Sequence, residues 1–173
     1  MITPERIFVI VGAVVALLLQ IIVAPYIAVF SAVPNFIVAY VCAIAIARAH
    51  SFGPVVPFVL GLLFDIVSGG PVGAMAFSLT LFSSVASRVF AGASNDTIFM
   101  AIAFVALSVL LVDLSYGIFL LLFGYNASLF EAIAYRIGPC FVYDVIIGLV
   151  VFLAARRFVQ PAAVPRTDIT QLR

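Results

Sequence analysis

The amino-acid sequence predicts an all-α, polytopic membrane protein, a compact bundle of six transmembrane helices. Three observations carry the prediction. Hydrophobic residues make up 66% of the 173 residues and charged residues only 9%, against roughly 25% charged in soluble domains. The mean hydropathy is +1.38. Apolar runs of about transmembrane length recur along the chain, separated by short polar breaks. So little polar surface cannot cover a water-soluble fold, so the surrounding solvent is expected to be lipid.

The first run, 7–30, exceeds the ~7–15 apolar residues of a signal peptide and reads as a retained helix. The second and third, 34–48 and 53–68, are short, with Arg48, His50 and Ser51 between them. Sixteen helical residues reach only ~24 Å across a hydrocarbon core of ~30 Å. They form either short spans with Arg48 at the interface or a re-entrant hairpin with Arg48 inside. Spanning is favoured, because burying Arg48 would cost ~2.5–3.5 kcal/mol. The turn Ser68-Gly69-Gly70-Pro71 leads to the fourth run, 71–90. The fifth covers 97–123 and the sixth 134–155, and 156–173 reads as a polar cytoplasmic tail. One domain, 1–155, is expected.

Arginine placement orients this arrangement. With six spans and a cytoplasmic N-terminus, Arg6, Arg48, Arg88, Arg156, Arg157, Arg166 and Arg173 fall inside and Arg136 alone outside. This agrees with the positive-inside rule and places both termini in the cytosol.

Few classes of chemistry survive this inventory. The sequence lacks a GxSxG elbow, an HExxH helix and a Walker loop. His50 is isolated in a loop, and Cys42 and Cys140 lie in apolar runs, so no metal, cofactor or catalytic residue is expected. With no lysine and no basic run, nucleic acid is not an expected partner. Asn126-Ala127-Ser128 matches a glycosylation sequon, relevant only in a eukaryotic secretory setting.

Three acids fall within apolar runs: Asp65, Asp113 and Asp144. Such acids face bundle interiors and find partners. Each has a glycine one turn on or back, at Gly61, Gly117 and Gly148, where another helix can approach closely. Tyr116 lies three residues beyond Asp113, and Arg136 two turns before Asp144. Two readings stand. The acids are interhelical glue or helix caps, or they form a polar cluster in the outer half of the bundle that binds a ligand, conducts protons or docks a partner. Small-residue stripes, Gly12, Ala16, Gln20 and Ala24 in the first run and Gly73, Ala76, Thr80, Ser84 and Ser87 in the fourth, are candidate helix docks.

The stretch GLLFDIVSGGPVG, with Gly61, Leu62, Leu63, Asp65, Gly69 and Gly73, resembles the rod-shape-determining protein MreD family. Pro34 opening the second run and Arg136 early in the last agree with that likeness, while Asp144 stands where family members often carry asparagine. The resemblance implies a non-enzymatic subunit of the cell-wall elongation complex in the bacterial inner membrane. Its implied partners are the single-span MreC, the MreB filament, RodA, a class B transpeptidase and membrane lipid. It also implies a six-helix fold like the substrate-binding subunits of energy-coupling-factor transporters. A vitamin-transporter subunit is therefore the alternative function.

Overall fold

A computed structural model describes residues 4–28, 33–93, 97–124 and 138–158. These residues form six α-helices: α1 Pro4–Ile22, α2 Phe36–Ala47, α3 Val55–Ser68, α4 Ala74–Gly92, α5 Ile98–Leu122 and α6 Gly138–Phe158. A single 3-10 turn, Ala24–Tyr26, follows α1.

The first helix stops well before the end of its apolar run. Pro25 sits in the turn, and a proline there cannot donate the N–H that would continue the α-helix. Tyr26 N–H instead bonds the Val23 carbonyl at 3.0 Å. Hydropathy alone does not register that break. Two helices, α4 and α5, are long and apolar enough to cross a membrane on length and composition.

The core is built around α2. Every residue from Ile37 to Ile46 is buried, and α2 packs against α6, α1, α4 and α5. Its 12 residues extend only ~18 Å. A helix so short is tolerable at membrane depth when neighbouring helices rather than lipid surround it, because its end groups can then find partners in protein. Arg48 is half-buried at the C-terminal end of α2, where its N–H bonds the Ile44 carbonyl at 2.9 Å and a cation complements the helix dipole.

The surrounding helices keep apolar residues on their outward faces too. Examples are Ile10, Val14 and Leu18 on α1, Phe58 and Ile66 on α3, Val85 and Val89 on α4, Leu107 and Ile118 on α5, and Val142 and Val150 on α6. An apolar exterior of this extent suits a lipid environment.

Candidate functional site

The residues singled out in the sequence gather into two groups. The first is the α3–α4 turn. Gly69 closes α3 in the left-handed region, φ 68°, and Gly73 opens α4 with φ 95°. Both conformations favour glycine. Gly73 has no cap of its own side chain, so the first N–H groups of α4 need an acceptor from elsewhere.

Asp65 supplies it from the preceding helix. Its side chain is buried, the residue being 1% exposed. Oδ2 accepts from Gly73 N–H at 2.8 Å, Met75 N–H at 3.2 Å and Ala76 N–H at 3.3 Å, while Oδ1 accepts from Met75 N–H at 3.1 Å. The carboxylate thus does the work of an N-cap across a turn, and its charge meets the positive end of the α4 dipole.

Gly61 makes this reach possible. A Cβ there would lie 2.5 Å from Ala76 Cα and 2.7 Å from Ala76 N, so α3 and α4 are in backbone contact one turn before Asp65. Tyr116 of α5 completes the group. Its ring packs edge-on against Phe64, with centroids 5.8 Å apart. A Cβ on Gly70 would come within 2.5 Å of its hydroxyl. Ser78 and Ser115, with hydroxyl oxygens 2.9 Å apart, tie α4 to α5 beside it.

The second group lies where α5 and α6 meet the start of α2. Asp144, with no exposed surface, accepts the Asn35 N–H on Oδ1 at 2.6 Å. Asn35 is the N-cap of α2, its Oδ1 accepting from Val38 N–H at 3.1 Å. Gln20 of α1 clamps the same end: Oε1 accepts from Phe36 N–H at 2.7 Å and Nε2 donates to the Pro34 carbonyl at 3.3 Å. Asp113 of α5 is half-buried, and its Oδ2 has no hydrogen-bond partner. The Ser108 hydroxyl of α5 donates to its own helix, to the Val105 carbonyl at 2.9 Å, and Cys42 of α2 is buried. Gly148 brings α6 onto α2, for a Cβ there would stand 3.4 Å from the Ala39 carbonyl oxygen.

Asp65 and Asp144 are thus each buried on one helix and accept at the start of another, Asp65 from Gly73, Met75 and Ala76 N–H and Asp144 from the N–H of the N-cap Asn35 alone. Asp65 belongs to the α3–α4 turn, apart from Asp144 at the start of α2, and Asp113 lies on α5. Arg136 lies outside the described residues. Asn35 and the clamping role of Gln20 were not singled out from sequence, although Pro34-Asn35 before an apolar run is a helix-start signature.

The small-residue stripes are used internally. A Cβ on Gly12 would lie 2.6 Å from the Tyr40 hydroxyl, which donates to the Val9 carbonyl at 2.7 Å; Ala16 and Ala24 are buried. On α4, Ala76 faces Gly61 and Ser87 donates to the Ala49 carbonyl at 3.0 Å. Gly12, Ala16, Ala24, Ala76 and Ser87 of these stripes therefore pack within the bundle. Among the described residues, no group of three His, Cys, Asp or Glu side chains could hold a metal ion.

The family model for the rod shape-determining protein MreD matches residues 4–161. The chain belongs to the MreD family. The match takes in both carboxylate groups, and MreD proteins are membrane proteins of the cell-shape apparatus. No curated protein and no solved structure matches the chain. The MreD description is of shape determination and names no reaction. The vitamin-transporter alternative gains no support from it.

Proposed function

We propose that the chain is a non-enzymatic scaffold subunit of the bacterial cell-wall elongation complex. It lies in the inner membrane as one six-span domain, about residues 1–155, with both termini and the 156–173 tail in the cytosol. The observation that carries this reading is the MreD match across residues 4–161. The use of Asp65 and Asp144 as acceptors for helix N-termini agrees with it, since it gives those acids a structural role. Seven arginines on the inner side under this orientation support the topology. The six-helix likeness to substrate-binding subunits of energy-coupling-factor transporters is carried as a fold expectation only, for a fold does not fix a function.

Partner helices, that of a single-span MreC-like protein first, meet the outward apolar faces rather than the stripes of α1 and α4, which are already occupied. MreB, RodA and a class B transpeptidase join through the wider assembly. The test is affinity purification of the tagged chain from its own membranes, together with its deletion. Recovery of a single-span protein bearing a large periplasmic domain, and rounded cells on deletion, are expected. Absence of such a partner with unaltered cell shape would overturn the reading.

A further inference from the structure

Two of the helices offer their surroundings apolar exteriors of unequal height. On α3 the exposed apolar side chains run from Val55 to Val67, a rise of ~18 Å. Polar residues close both ends: Arg48, His50 and Ser51 precede the helix, and the exposed Ser68 and Gly69 end it. On α5 the exposed apolar side chains run from Phe99 to Leu122, which are 77% and 75% exposed, a rise of ~35 Å. The hydrocarbon core of a bilayer is ~30 Å thick. The first exterior is too low for it and the second too high.

Contacts through α4 hold both helices in one frame. Ala76 of α4 meets Gly61 of α3, and the Ser78 hydroxyl lies 2.9 Å from that of Ser115 on α5. Ser87 donates to the Ala49 carbonyl at 3.0 Å, so the exposed Arg88 stands close to the level of Arg48. Beyond that level α5 continues. Its Phe104 pairs with Phe90, ring centroids 5.5 Å apart, and Ile98 to Ala103 lie further out. At the other end the Tyr116 hydroxyl meets Gly70 of the α3–α4 turn, and α5 runs on to Leu122. The long helix overshoots the short one at both ends. Tilting the bundle as one body lowers both exteriors, so it fits α5 to the core only by making α3 shorter still. Every exposed residue of α5, and of α3 before Ser68, is apolar. Such faces suit hydrocarbon, which offers no hydrogen bonds.

We propose that the chain sets a step in bilayer thickness: the α3 face takes short-chain phospholipid in a locally thinned bilayer, and the α5 face takes long-chain phospholipid. The inference rests on these helices lying in lipid and on nothing about the elongation complex.

The sequence contains no tryptophan, so a single introduced one reports alone. Phe58→Trp on α3 and Leu114→Trp on α5 replace exposed side chains. Each purified full-length variant is placed in vesicles of equimolar dimyristoleoyl and dierucoyl phosphatidylcholine, with bromine added across the double bonds of one lipid or the other. The ratio of short-chain to long-chain quenching should be higher at Phe58→Trp than at Leu114→Trp, by a factor of about two or more. Val59→Trp and Ile118→Trp replace either probe that does not accumulate. Phe99→Trp should be quenched by the long-chain lipid and shielded from iodide. Equal ratios on the two helices would overturn the proposal. So would iodide access to Phe99→Trp, which would put that end of α5 in water. So would a Phe58→Trp signal that neither lipid quenches, which would mean that a second copy covers α3. Quenching at none of the sites would overturn the lipid reading itself.

Discussion

Asp65 shows how one side chain can secure a helix to which it does not belong. Replacing it with alanine leaves Gly73, Met75 and Ala76 N–H groups without their acceptor. Each that finds no substitute costs about 1–3 kcal/mol. Asp65→Asn keeps one carbonyl acceptor but loses the charge facing the α4 dipole, worth ~0.3–2 kcal/mol. Thermal unfolding in detergent should therefore rank natural chain above Asp65→Asn, and Asp65→Asn well above Asp65→Ala. Equal stability of the two variants would mean that hydrogen bonding to α4 contributes nothing. From sequence, Asp65 stood out as an acid in an apolar run before a glycine turn, and capping was one of its two readings. The donors could not be read in advance, because they depend on Gly69 and Gly73 both taking positive φ. Asp144 was harder still, since its donor lies 109 residues away in the chain.

Among the elements, α2 and the α3–α4 pair carry the strictest packing. Gly61→Ala would press a methyl group into the backbone of Ala76, which has no flexible end to move aside. Overpacking of this kind costs about 1–3 kcal/mol. Gly73→Ala should cost about 1–2 kcal/mol for a different reason, the left-handed backbone of a residue with a Cβ. Unfolding midpoints of both variants check these values, and their double variant tests additivity along one turn. At the other end of the bundle, Gln20→Leu removes the clamp on Phe36 N–H and the Pro34 carbonyl. Faster hydrogen exchange at Phe36 is the expected result, with Val38 N–H, still held by Asn35, less affected. The apolar runs announced the helices well. They could not show that α2 is wrapped by its neighbours, because a helix buried in protein and one facing lipid are equally apolar. Nor could the small-residue stripes say whether their partner helix belongs to this chain. The Gly12–Tyr40 contact answers that for α1.

At the scale of the molecule, the proposed orientation is tested by single-cysteine labelling in a background where Cys42 and Cys140 are replaced. A cysteine at Arg173 or in the Ala49–His50 segment should react only with reagents that reach the cytosol. One at Ser68 or Gly69, in the exposed α3–α4 turn, should react from the periplasm. Labelling of both from one side would remove the six-span topology. Composition alone foretold an apolar exterior, which the outward residues of α1 and α3–α6 display. The pairing of distant segments is a property of the assembled bundle. The bond from Asn35 N–H to Asp144 gives it a temporal consequence. While a ribosome is still making the chain, Gln20 and Asn35 can already hold Phe36 and Val38 N–H, but the Asn35 N–H waits for its acceptor until nearly the whole domain has been synthesised. A nascent chain halted before Gly138 should thus exchange the Asn35 amide hydrogen faster than the finished chain does.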